Sequence, residues 1–335
     1  MRRYAPDISE TGYMKLFVTG AAGFIGSNYV RWLMANTDAE ITVFDALTYA
    51  GVRANLAEFD DSPRFRFVQG DITDRDSVAG AMPGHSHVVH FAAESHVDRS
   101  ILGPDAFINT NVGGTNIVCD IARQNDVERF LHISTDEVYG SIDDGSFVET
   151  DSLEPRSPYS ASKASSDLVA LAYRETYGLP VVITRSANQF GPYQFPEKVI
   201  PLFVTNLEDG LTVPLYGDGL NVRDWTYVLD NCAGVQLVLE QGVEGEIYNI
   251  GAGNELTNKE LTMAILDRCG KDESSIEYVE DRLGHDRRYS IDTTKIRALG
   301  WAPEKGFEDA LDETVAWYRA NREWWEPLKA SVKNR

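Results

Sequence analysis

Three cysteines in 335 residues, Cys119, Cys232 and Cys269, are too few and too scattered for a disulfide framework or a thiolate metal site. They suit reduced thiols in a cytoplasmic protein. No apolar run reaches the length that crosses a bilayer, so no membrane partner is expected. Met1 to Tyr13 lacks an apolar signal core and is expected to be a loose extension before the first strand. Positive charge is scarce: 31 Lys and Arg stand against 52 Asp and Glu, a formal net charge of −21. Such a surface repels nucleic acid and anionic lipid, so an anionic ligand needs a local cluster of cations. Internal repeats and low-complexity tracts are absent as well. What is present is a 43% apolar chain, globular in composition and long enough for one large or two small domains.

The amino-terminal half alternates strands and helices. Lys15 to Thr19 reads as a strand, followed by Gly20-Ala21-Ala22-Gly23-Phe24-Ile25-Gly26 and a helix over Ser27 to Ala35. Glycines in that loop permit a tight turn and close approach of a pyrophosphate, which the helix amino end then stabilises. A second strand ends in Asp45, 19 residues beyond Gly26. A carboxylate there accepts from both ribose hydroxyls and repels a 2′-phosphate, so the expected cofactor is NAD rather than NADP. Strands over Phe65 to Val68 and His87 to Phe91 lead to Gly70-Asp71-Ile72 and to Ala92-Ala93-Glu94-Ser95-His96. Asp71 can accept from an adenine amino group, and Ala92 and Ala93 let the chain lie against a cofactor. His87, His90 and His96 have no cysteine or carboxylate partners at a recurring metal-ligand spacing, and no metal is expected.

A helix is expected over Asn111 to Gln124, and a buried strand over Phe130 to Ser134. Thr135, Asp136 and Glu137 then fall at that strand's carboxyl end, where open parallel sheets bind ligands. A further helix opens at Pro158 and runs to about Tyr177, with Tyr159 and Lys163 four apart on one face. A phenol ionises near pH 10, too high for a base at neutral pH, and a nearby ammonium favours the phenolate. Adjacent carboxyls push their proton affinities apart, so one of Asp136 and Glu137 can serve as acid and the other as base. Val181 to Ile183 is a sixth strand. The alternation predicts an α/β fold, a doubly wound parallel sheet of Rossmann type.

After Arg185 the chain becomes turn-rich, and a smaller α/β substrate-binding lobe is expected. The boundaries place the cofactor domain at 14–187, with 228–252 and part of the carboxyl-terminal segment returning to it. The smaller lobe takes 188–227 and 253–320. Lys198, Arg223, Arg282, Arg287 and Arg288 fall in this lobe, and several are expected to clamp a diphosphate. Trp317, Trp324 and Trp325 are expected to pack.

Four stretches resemble the extended short-chain dehydrogenase/reductases and, within them, the nucleotide-sugar 4,6-dehydratases. They are Ala92 to Ser100, Ser134 to Gly140, Gly191-Pro192-Tyr193 through Pro201, and Gly284 to Tyr289. The likeness covers nearly the whole chain after Tyr13, and Thr135-Asp136-Glu137 is its most specific part. It implies an NAD-dependent lyase acting on a nucleotide-diphosphate glucose, with dTDP-glucose first among the substrates. A dehydratase for UDP-glucose and a nucleotide-sugar 4-epimerase are the alternatives. In the implied mechanism Tyr159, aided by Lys163, takes the proton of the sugar 4-hydroxyl while NAD accepts hydride, and Thr135 holds the 4-oxygen. Glu137 then removes the carbon 5 hydrogen, Asp136 protonates the departing 6-hydroxyl, and hydride returns to carbon 6.

The resemblance also assigns Thr48, Ile72, Thr110 and Gln189 to the cofactor. It gives Ser95, Asn188, Lys198, Pro214, Tyr216, Arg223, Asn258, Arg282 and His285 to the substrate. A homodimer through the helix before Arg129 and the helix opened by Tyr159 is implied in the same way. The chain departs from the pattern at Ala187-Asn188-Gln189-Phe190, where Ser-Asn-Asn-Tyr is usual, and at Leu283, where proline is usual.

Overall fold

The computed structural model describes residues 14–333, so the expected extension over 1–13 lies outside the described residues. Six strands occur in the expected places: β1 (Lys15–Thr19), β2 (Glu40–Asp45), β3 (Phe65–Gln69), β4 (His87–His90), β5 (Arg129–Thr135) and β6 (Val181–Ser186). With Ile247–Ile250 they form one sheet in the order β3-β2-β1-β4-β5-β6-Ile247–Ile250, and every pairing is parallel. The sheet is the doubly wound one expected. Its strands are nearly continuous apolar runs because helices cover both faces. Phe24–Asn36 and Val228–Gln241 pack on one face, where Tyr29, Leu33, Val235 and Tyr248 are buried. Arg75–Ala81, Thr115–Gln124 and Pro158–Tyr177 pack on the other, through Val78, Val118, Ile121 and Ala170. Each large apolar side chain so buried contributes roughly 1.5–3 kcal/mol.

The chain reverses its winding between β1 and β4, and this opens a crevice at the carboxyl ends of the strands. Register keeps those ends level: Thr19 stands opposite Phe44 and His90, and Thr135 opposite Ser186. Loops leaving the strands therefore meet in one place.

Beyond β6 lie a three-stranded sheet (Glu255–Thr257, Val222–Tyr227, Asn188–Phe190) and a two-stranded one (Ile276–Val279 with Val213–Tyr216). Their core contains Phe190, Phe203, Trp225, Tyr227, Leu261, Leu311, Tyr318 and Trp325. Phe190, where tyrosine is usual, is fully buried among Trp225, Tyr227 and Phe307, a setting with no need of a hydroxyl.

Two elements differ from expectation. The helix over Asn111 to Gln124 is a π-helix at Ile108–Gly114 followed by an α-helix at Thr115–Gln124. Gly113 and Gly114 hold a helix weakly, and the Asn111 amide is drawn sideways to the Glu94 backbone (2.8 and 3.0 Å) and to Ser162 Oγ (2.8 Å). A last helix, Arg322–Lys333, runs through Pro327. Trp325, 1% exposed, and an ion pair from Lys329 to Asp209 (2.7 Å) fasten it to the body, and this tertiary support outweighs the hydrogen bond that proline removes. The three tryptophans pack as expected: Trp317 lies tilted and Trp324 edge-on to Tyr193, and Trp324 Nε1 donates to Asn55.

Candidate active site

The crevice is a single cavity. It is lined by Gly20, Gly23, Phe24, Ile25, Gly26, Asp45, Thr48, Asp71, Ile72, Ala92, Ala93, Thr110 and Gln189, all expected at a cofactor. Thr135, Asp136, Glu137, Tyr159 and Lys163 line it too, with Ser95, Asn188 and Lys198 from the expected substrate set. Gly20 is at φ +70°, and a Cβ there would stand 2.5 Å from the Ala92 backbone, so the first glycine closes β1 against the chain leaving β4. Asp45 is 7% exposed, with Oδ2 accepting from Ala22 N–H (2.8 Å) and Oδ1 from Leu47 N–H (2.8 Å). Each oxygen keeps a second lone pair for a ribose hydroxyl.

Tyr159 and Lys163 project from Pro158–Tyr177. Its amino end is fixed by a reciprocal cap between Ser157 and Ser160, and its carboxyl end by Gly178 in the left-handed region. Both side chains are buried. Lys163 Nζ donates to the Ile133 carbonyl at 2.7 Å, and burial lowers its pKa to about 8. The expected lowering of the Tyr159 phenol is not what the protein alone produces. Burial, then the Glu137 and Asp136 charges, push it well above its ordinary value, while a hydrogen bond with Thr135 pulls it back. Desolvation of the phenolate outweighs an ammonium already engaged with a carbonyl.

The two carboxyls differ in their neighbours. Asp136 is 3% exposed; burial first and Glu137 second push it up to about 8. At neutral pH it keeps its proton and can donate it. Burial raises Glu137 as well, and Arg282, Arg223 and Lys198, which face it, offset part of that rise. Thr135 Oγ1 donates to Asp136 Oδ1 (3.1 Å) and accepts from Glu137 N–H (3.3 Å), orienting both.

The basic residues divide. Lys198, Arg223 and Arg282 face Glu137, and Lys198 Nζ also donates to the Ser95 carbonyl at 3.0 Å. Arg287 is instead bound to Asp218 (2.9 Å) and Arg288 to Glu255 (2.9 Å), and these local carboxylates take both out of the expected clamp. Arg282 pairs loosely with Asp98 (3.8 Å), and His285 Nδ1 lies 2.6 Å from Asp281, edge-on to Tyr216. Pro214 sits in Val213–Tyr216 and Asn258 opens Asn258–Arg268; with Tyr216, Arg223, Arg282 and His285 they stand outside the cavity lining. Glu197, Tyr49 and Asn111 were missed. Arg99 lies over the Tyr49 ring (3.9 Å) and donates to Glu197 (2.9 Å), which lines the cavity. Arg99 and Glu197 each lie within a stretch that carries the resemblance, but nothing in the local sequence pairs them.

NAD fits the residues present. Ser134 Oγ, Asp136 Oδ2, Asn188 Oδ1 and Gln189 Oε1 are buried at the cavity with no hydrogen-bond partner among the described residues, a set that a polar ligand would satisfy. Among the described residues no group of His, Cys, Asp and Glu could hold a metal ion.

The family model described as GDP-mannose 4,6 dehydratase matches residues 17–314. The low-salt glycan biosynthesis protein Agl12 of Haloferax volcanii is 56% identical, over 92% of this chain and 100% of its own. A dTDP-glucose 4,6-dehydratase of Actinoplanes sp. is 54% identical, over 93% and 100%. The crystal structure of DesIV, a dTDP-glucose 4,6-dehydratase from Streptomyces venezuelae with NAD bound, superposes with a TM-score of 0.93. It is 59% identical, over 94% of this chain and 100% of that one. The chain belongs to this family of nucleotide-sugar 4,6-dehydratases, extended short-chain dehydrogenase/reductases.

Proposed function

We propose that this protein is an NAD-dependent lyase that converts dTDP-glucose to the 4-keto-6-deoxy sugar and water. The observation that carries it is the adjacent pair Asp136 and Glu137, the first buried and pushed up to about 8, the second facing three cations, beside Tyr159 and Lys163. A 4-epimerase needs the tyrosine and lysine but gives the two carboxyls no task. Bound NAD supplies a hydride acceptor and donor. Gly20, Gly23 and Gly26 admit its pyrophosphate, Asp45 its ribose, Asp71 and Ile72 its adenine side. Tyr159 takes the proton of the 4-hydroxyl and Thr135 orients that oxygen. The ketone so formed acidifies carbon 5, whose hydrogen Glu137 removes while Asp136 protonates the leaving 6-hydroxyl. Lys198, Arg223 and Arg282 supply the charge that holds the diphosphate, from a lobe comprising 188–227 and 253–320. Tyr216 serves the base, and His285 the nucleotide diphosphate.

Incubation with dTDP-glucose, UDP-glucose and GDP-mannose, followed by mass analysis, is the test. dTDP-glucose should lose one water fastest. Preference for UDP-glucose would move the substrate, and an isomer of unchanged mass would replace the reaction.

The protein works as a homodimer in the cytoplasm. No helix among the described residues is long and apolar enough to cross a membrane. Leu102, Ile108 and Leu168 are 88%, 49% and 60% exposed on the packed elements Val97–Leu102, Ile108–Gly114 and Pro158–Tyr177. Apolar side chains of that size on adjoining helices suit a second copy of the chain. Leu168→Glu should halve the mass measured by light scattering; an unchanged mass would place the interface elsewhere.

A further inference from the structure

Behind the Tyr159 and Lys163 face, the same helix carries a third residue in register, Asp167, four beyond Lys163. Its side chain is fully buried. Arg185 Nε of β6 donates to Asp167 Oδ2 at 2.9 Å, and His132 Nε2 of β5 lies 3.3 Å from Oδ1. Arg185 also lies over the Tyr139 ring (4.7 Å), whose hydroxyl donates to Asn249 (2.9 Å). His132 is bound to Ser166 Oγ (3.0 Å). Its ring lies 5.5 Å from that of His90 on β4, itself held between the Thr19 and Thr115 hydroxyls.

The charged and titratable groups on every packed element are therefore Lys163, Asp167, Arg185, His132, His90 and Tyr139. Burial holds both histidines neutral, His132 at about 4. Two cations, Lys163 and Arg185, then share a dry compartment with one anion. Among the described residues, Asp167 is the group that raises the proton affinity of Lys163 against its burial.

We infer that Asp167 is a positioning residue for the reaction, the buried counter-charge that keeps Lys163 an ammonium behind Tyr159. This rests on Tyr159 and Lys163 being the oxidising pair. An Arg185–Asp167 clamp between helix and sheet would explain the ion pair alone. It would not explain why the carboxylate lies on the catalytic stripe of the helix, one turn from the lysine.

The test follows hydride transfer to bound NAD by absorbance in single turnover. A Glu137→Gln background isolates that step from elimination. Asp167→Asn should move the alkaline limb of the profile about one pH unit lower, and Asp167→Glu should restore it. A folded Asn variant with the wild-type limb would overturn the inference, even with a lowered melting temperature, since a purely structural clamp predicts that result. Asp167→Asn strands Arg185, so the double variant Asp167→Asn/Arg185→Met is compared with Arg185→Met alone, and its limb should again lie lower than that of the variant that keeps the carboxylate. Tyr159→Phe and Lys163→Met run beside it. If those transfer hydride normally, the assignment of the pair has failed; if they are inactive and the limb is unmoved, only the role of Asp167 has.

Discussion

Adjacent carboxyls at one strand end are suited to opposite work here because their neighbours differ. Burial first and the Glu137 charge second push Asp136 up to about 8, whereas Glu137 faces Arg282, Arg223 and Lys198. Asp136→Asn and Glu137→Gln should each spare hydride transfer and slow loss of water, so that a 4-keto hexose persists with reduced cofactor in single turnover. General acid–base catalysis is worth typically 10²–10⁴-fold, which sets the expected loss. The same burial has a stability cost with a definite sign. The folded state holds the Asp136 proton between the ordinary carboxylate range and about 8, where the unfolded chain releases it. Stability from this group is thus present at low pH and falls as pH rises through that window. Between about pH 6 and about pH 9 the melting temperature of the wild type should fall more steeply than that of Asp136→Asn. Parallel curves would show that Asp136 is ionised throughout, and the acid would have to be sought elsewhere.

At the scale of elements, the cavity exists because β1, β4 and β5 end, and the helix from Pro158 begins, at one edge of the sheet. Gly20 is where two of them touch. Gly20→Ala forces a side chain into the left-handed region, costing roughly 1–3 kcal/mol, and drives a methyl to within 2.5 Å of the Ala92 backbone. The carboxyl ends of β1 and β4 must separate, so NAD should co-purify poorly and the melting temperature should fall. Wild-type NAD content in this variant would show that the close approach has no part in cofactor binding. Elements of this kind were legible in the sequence because each carries its own period or punctuation. Apolar runs marked the strands, the glycine loop marked the turn, and Pro158 marked a helix start. The site was legible where chemistry is local, as in Thr135-Asp136-Glu137 and Tyr159 with Lys163. It was not legible where partners lie far apart in the chain. The Arg99 bond to Glu197 spans 98 residues and the Asn111 bond to Ser162 spans 51. Nor does local sequence separate Arg223, which faces Glu137, from Arg287, which a loop carboxylate holds.

For the molecule as a whole, the dominant fact is a formal charge of −21. Many cations are already committed: Arg268, Arg287, Arg288, Lys295, Arg319 and Arg322 each hold a carboxylate. The acidic excess is therefore spread over exposed positions such as Asp38, Asp61, Asp144, Glu244 and Asp309. Net charge of one sign opposes the compact state by self-repulsion. Salt weakens this, since the Debye length shrinks from roughly 10 Å at 0.1 M to roughly 3 Å at 1 M. Salt also weakens the surface ion pairs, but exposed pairs contribute only about 0–1 kcal/mol each. The buried Asp167–Arg185 and partly buried Glu197–Arg99 pairs are screened less. Repulsion, being the larger exposed contribution, decides the sign. The melting temperature should rise steadily as sodium chloride is raised over that range, whereas a protein held by its surface pairs would lose stability. Changing the five exposed acids named above to Asn or Gln should flatten the dependence and raise stability at low salt. If the melting temperature falls with salt, or if the five-fold variant keeps the full slope, self-repulsion does not govern the stability of this fold.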